Sequence, residues 1–153
     1  MASLVTNRGA YRLLGYAFRG GTVPTNYYIA LATNDTPPTV DTNVMSEASQ
    51  IPAGNGYTSG GQQLTPGATD FDVYTEDDVN DRAFVQIKDI TFTASGGNLP
   101  ASGNGARWAL LTDDNVTVTS REVFAAFDLV SDRTVSDGQD LTIQDMEYRA
   151  STV

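Results

Sequence analysis

Hydrophobic positions near the amino terminus recur with a helical period. Ala10, Leu13, Leu14, Ala17 and Phe18 fall at i, i+3, i+4, i+7 and i+8, one face of an α-helix. Thr6 or Asn7 is placed to cap its start, and Gly20-Gly21 ends it with the residue type that tolerates a left-handed backbone. Gly9 and Gly15 each weaken a helix interior by about 1 kcal/mol relative to Ala. A helix this short with two glycines needs a surface to dock on. Its own domain and a neighbouring subunit are both open as that surface.

From Asn26 the period changes to two. Tyr27, Ile29 and Leu31 alternate with Tyr28, Ala30 and Ala32, a strand with both faces at least partly covered. Residues 34–61 are rich in Thr, Pro, Gly and Asn, and Pro37-Pro38 excludes regular structure there; one helical turn fits Met45 to Ile51. A connection of this length in a small domain is a functional or contact-making loop. Strands then follow at Phe71 to Tyr74, Ala83 to Ala94, Arg107 to Thr112, Val116 to Thr119, Glu122 to Val130 and Leu141 to Tyr148. The alternation of the second slips near Asp89, which predicts a bulge or bend. Strands at short intervals with turn signals between them predict a mainly β single domain over 1–153. The expected architecture is a β-sandwich or jelly-roll-like barrel with one short N-terminal helix. Within it, 1–21 form a basic front segment and 26–150 the β body.

Composition removes much of the available chemistry. The chain of 153 residues contains no Cys and no His. Disulfides, thiolate nucleophiles, zinc fingers and iron–sulfur clusters are thereby excluded, as are Ser-His-Asp triads and the usual catalytic zinc sites. No cofactor and no catalytic residue is expected, and the chain reads as a protein that is not an enzyme. No stretch approaches the roughly 18 apolar residues of a membrane span, and the start carries no secretory signal pattern. The net charge of -10 repels a phosphate backbone, so neither nucleic acid nor membrane is an expected partner.

The distribution of that charge is more informative than its total. Arg8, Arg12 and Arg19 stand in a front segment of twenty residues without an acid, while 21–153 hold 6 cations and all 19 acids, a balance of -13. A basic segment beside an acidic body suits docking on its own body, on an adjacent copy or on another partner. The densest charge cluster, Asp70 to Asp81, lacks the central Gly and closing Glu of an EF-hand loop and reads as a solvated acidic loop. Carboxylate-based hydrolysis or carbohydrate binding is its alternative reading. Lys88, the single lysine, lies between Gln86-Ile87 and Asp89 on a polar strand face and not in a Schiff-base setting. Trp108 and Tyr27-Tyr28 read as core or interface aromatics.

Three segments carry a resemblance. Asn26-Tyr-Tyr-Ile-Ala-Leu-Ala-Thr, Ala106-Arg-Trp-Ala-Leu-Leu-Thr-Asp-Asp-Asn, and the step Val135-Ser-Asp-Gly138-Gln-Asp-Leu141-Thr-Ile143 after Glu122-Val-Phe-Ala-Ala-Phe-Asp-Leu resemble small virion structural proteins of tailed bacteriophages. The resemblance covers most of the chain, rests on packing and turn patterns, and is most like capsid cement (decoration) proteins. It implies a subunit made in the host cytoplasm that binds the major capsid protein on the outer shell, as a homotrimer, and stabilises the shell against DNA pressure. A tail, neck or fibre-tip subunit is the alternative that it leaves open. The expected contact residues are Arg8, Arg12 and Arg19, through their planar charged forks, with Val44, Met45 and Ile51 of the long loop.

Overall fold

The computed structural model describes residues 1–151, so the last two residues of the expected 1–153 domain lie outside the described residues. The chain is mainly β, with one short N-terminal helix and a sandwich-like arrangement of antiparallel sheets. Strand β1 (Ala2–Val5) leads directly into α1 (Asn7–Phe18), followed by β2 (Tyr27–Ala32), β3 (Gln62–Leu64), β4 (Val73–Asp77), β5 (Arg82–Ile87) and β6 (Ile90–Thr93). Strands β7 (Ala106–Thr112), β8 (Val123–Arg133), β9 (Asp140–Ile143) and β10 (Met146–Ser151) complete it.

One layer is a five-stranded sheet in the order β1-β8-β7-β2-β3. Its pairing sets Ile29, Leu111 and Ala125 in one row and Leu31, Ala109 and Phe127 in the next, all on one face. The opposing layer is one bent ribbon. Its two ladders, β5 with β10 and β6 with β9, keep a single register: Ile87 lies opposite Met146, and three residues on Ile90 lies opposite Ile143. The residues between splay apart, and Gln144 Nε2 donates to Asp89 Oδ2 at 2.6 Å across the gap. The slip expected near Asp89 is therefore more than a bulge. It divides Ala83–Ala94 into two strands, as the step at Asp145 (φ 57°) divides Leu141–Tyr148. The bend folds the ribbon over the sheet, and Ile87, Ile90, Phe92, Ile143 and Met146 meet Ile29, Leu31 and Phe127 in the core.

The outer face of the five-stranded sheet is shallow because its central positions are Ala30, Ala32 and Ala126. The long loop fills that depth. A 3-10 turn at Met45–Glu47 presses Met45 and Ala48 onto the alanines. Ile51 N–H donates to Leu31 C=O at 3.0 Å and the Tyr57 hydroxyl accepts from Leu31 N–H at 3.0 Å, so the loop satisfies backbone groups that the sheet would leave open. Two further expectations change. Val116 to Thr119 is not a strand; Asn115 Oδ1 accepts from Thr117 N–H, and a 3-10 turn follows at Val118–Ser120. The acidic run is half strand, because β4 and β5 form a hairpin that turns at residues 78–81.

Candidate docking surface

Helix α1 sits on the sheet through an unusual face. Thr6 caps it, accepting from Gly9 N–H at 2.9 Å, while the same hydroxyl donates to Val123 C=O at 2.5 Å. Thr6 N–H donates to Phe124 C=O at 3.1 Å, so the helix start is pinned to a register shift in β8, where Leu111 faces Ala125 but Thr112 faces Val123. Gly9 is buried there, and a methyl group in its place would collide with the Phe124 carbonyl. Along the same side Tyr16 stacks over Phe124 at 6.5 Å between ring centroids. Arg12 binds Glu122 with both ends of its fork, Nε to Oε2 at 2.5 Å and Nη2 to Oε1 at 2.7 Å. That hydrogen bond raises the guanidinium pKa further, against the opposing effect of burial. Arg8 joins the same carboxylate at 3.5 Å.

With Gly9, Arg12 and Tyr16 turned inward, the apolar face points to solvent. Tyr11, Leu13, Leu14 and Phe18 are 64%, 40%, 59% and 78% exposed, and Ala10 and Ala17 are exposed between them. The helix is mounted with its hydrophobic stripe outward, the reverse of the usual arrangement at a domain surface. Of the six residues expected to make contacts, Arg8 and Arg12 are engaged by Glu122 of their own body. Arg19, at the C-terminal end of the helix, has no ion pair among the described residues. Met45 and Ile51 are each 2% exposed and serve the core, and Val44 is half-buried, bridged to Glu122. The residues that sequence reasoning did not assign to contacts are Tyr11, Leu14 and Phe18. The period of Leu14 and Phe18 was visible, but the direction in which it faces was not, and Tyr11 stood outside it.

The groups that suggested chemistry are structurally engaged. Asp70 is buried, bonds Lys88 Nζ at 2.5 Å and accepts from Thr65 N–H at 2.7 Å; the Lys88 bond first and the Thr65 bond second hold its carboxyl below the ordinary range. Asp77 is likewise held down by Asn80 and Arg82 across the hairpin turn. No group of three or more acids is placed to hold a metal ion among the described residues. Arg121 is buried without a carboxylate partner among the described residues; it lies 3.7 Å over the Tyr28 ring and donates to the Gly60 and Asn115 carbonyls. Trp108 packs on the alanine face and donates to Asn34 Oδ1 at 3.0 Å.

Beside the inner flank of α1 an open apolar groove of about 250 Å³ runs between Leu13, Tyr27, Phe71, Val85 and Tyr148. Burial pushes both tyrosine hydroxyls up to about 12, and the Tyr148 hydroxyl is buried with no hydrogen-bond partner among the described residues. No helix among the described residues is long and apolar enough to cross a membrane. Comparison with protein-family models, curated proteins and solved structures finds no match.

Proposed function

We propose that this protein is a non-enzymatic structural subunit of a virion, a capsid cement protein that binds the outer shell as an oligomer. The observation that carries the reading is the inverted mounting of α1. A small acidic β-sandwich that glues its helix down by polar contacts and leaves Leu14 and Phe18 in water is built for completion by another protein chain. The engagement of Asp70, Asp77, Lys88 and Glu122 in ion pairs supports an assembly role over acid–base work. On a shell the work is mechanical: an oligomer that touches several capsomers at once converts modest contacts into a lasting clamp. Its negative body suits the protein side of the shell and not the packaged DNA.

Imaging of the intact particle tests this. The expected result is density for the sandwich on the outer capsid surface, at a copy number comparable to the major capsid protein. A few copies per particle at the tail or neck would replace cement by the tail-side reading, and absence from the particle would overturn both.

A further inference from the structure

We propose that the outward ridge of α1 is covered by the same ridge of a second copy of this chain, packed antiparallel about a two-fold axis through Leu14. The layout of the ridge points to this occupant. With 3.6 residues per turn, Leu14 lies on the midline, Tyr11 and Phe18 on one flank, and Ala10 and Ala17 on the other. A two-fold axis across the midline returns each flank to itself with its ends exchanged. Leu14 meets Leu14 of the second copy, and Tyr11 of each copy meets the other's Phe18, an aromatic pair on one side. On the other side Ala10 of each copy meets the other's Ala17, and these small side chains let the backbones approach. A parallel pair would instead set the aromatic flank of each copy, Tyr11 and Phe18, against the alanine flank of the other, with helix dipoles aligned, whereas the antiparallel pair opposes the dipoles and joins the aromatics.

Charge agrees with the same register. Antiparallel packing brings Arg19 at the end of one helix beside the start of the other. There Asn7 Nδ2 donates to Asp41 Oδ1 at 2.9 Å, which holds that carboxylate at the helix start. Neither Arg19 nor Asp41 has an ion pair within its own chain among the described residues. The unpaired cation of each copy therefore meets the unpaired anion of the other, two such contacts per dimer. The three large side chains of each ridge, Tyr11, Leu14 and Phe18, expose roughly 400 Å², at about 200 Å² for a fully exposed one. The helix pair alone then buries on the order of 800 Å² in total, the size of a weak, reversible contact. A two-fold contact of this kind links copies in pairs, where the family resemblance implies a trimer.

The inference concerns self-association and does not depend on the virion reading. A dimer without affinity for shells leaves it standing, and shell binding by a monomer would leave that reading standing without it. The test is sedimentation equilibrium of the full chain from about 1 to about 100 µM. The wild type is expected to show a reversible monomer–dimer equilibrium. Leu14→Glu sets two carboxylates face to face on the axis and is expected to weaken the dimer at least ~100-fold. Its native near-ultraviolet spectrum would be retained, because Leu14 is exposed. Arg19→Glu and Asp41→Arg singly are expected to weaken it by about 5- to 10-fold, and together to restore it to within about 3-fold. In this cysteine-free chain Leu14→Cys is expected to give a disulfide-linked dimer under mild oxidation, and Val116→Cys, on an exposed turn elsewhere, is not. A wild type that stays monomeric throughout overturns the proposal, whether or not the ridge then binds anionic vesicles or capsid shells. A dimer that Leu14→Glu leaves intact overturns it equally.

Discussion

Two glycines in one helix are expected to respond with opposite signs to the same substitution. By helix propensity alone, Gly→Ala stabilises each position by about 1 kcal/mol. Gly15 obeys that rule, because nothing lies within 4 Å of where its methyl group would stand. Gly15→Ala is expected to add ~0.5–1 kcal/mol. Gly9 does not, because the methyl group would overlap the Phe124 carbonyl, which is sheet backbone and cannot rotate away. The helix must lift, and that strains the two bonds from Thr6 to Val123 and Phe124, worth about 1 kcal/mol each. The Arg12–Glu122 fork is strained with them; since Arg12 is partly exposed it adds no more than ~1 kcal/mol. Against the propensity gain, Gly9→Ala is expected to cost a net ~2 kcal/mol. For a domain of this size that lowers the melting temperature by roughly 4–8 °C, against a rise of roughly 1–4 °C for Gly15→Ala. Calorimetry of both variants, with near-ultraviolet dichroism to follow Tyr16 over Phe124, reads the difference. A Gly9→Ala protein as stable as the wild type would show that α1 does not dock through this face.

Two further predictions concern single buried groups. Asp70 has a folded pKa below its unfolded one, so its contribution is present above the ordinary carboxylate range, about pH 4, and is lost as pH falls through the folded value. Asp70→Asn is accordingly expected to lower the urea midpoint at pH 7 and to flatten its fall in acid; an unchanged acid limb would refute the pairing with Lys88. Tyr148 carries a buried hydroxyl without a partner among the described residues, so Tyr148→Phe removes a desolvation cost and is expected to leave stability unchanged or raise it by ~1 kcal/mol. A loss of more than ~1 kcal/mol in urea unfolding would show that the hydroxyl is bonded.

Much of the fold was legible because burial imposes a period. Tyr27–Ala32, Ala106–Thr112 and Val123–Phe127 alternate as the sheet requires, and all three lie in the five-stranded layer. Position in the fold was harder to see. Ala83–Ala94 reads as one strand because the ribbon keeps one register across its bend, so the alternation resumes beyond Asp89 as if the chain had only bulged. Strand β1 has only Leu4 and Val5 to mark it, and its place comes from pairing with β8, a contact more than a hundred residues distant in sequence. Val116 alternates correctly for a strand yet is almost wholly exposed, because the side chain of Asn115 captures the backbone first. The candidate site was legible in period and in charge, but not in direction. A hydrophobic period states which residues share a face, whereas Thr6, Gly9 and Glu122 decide which face meets the sheet.

The inverted helix also sets the strength of association. Covering about 400 Å² of apolar surface is worth on the order of 10 kcal/mol per copy before costs. The translational and rotational freedom lost on association costs a comparable amount. A polar seat holds α1 in place in the monomer, so the ridge is preformed and no folding cost falls due when it pairs. The two sides then lie close to balance, which favours a contact that is reversible in dilute solution. On a surface that gathers many copies, each helix pair forms at a high effective concentration and the same contact becomes persistent. In the proposed cement role, a subunit made separately and added to a finished particle needs that behaviour: it must remain dispersed before assembly and stay bound after it. The apolar stripe supplies the persistence, and the acidic body, at -13 over residues 21–153, keeps the free chains apart.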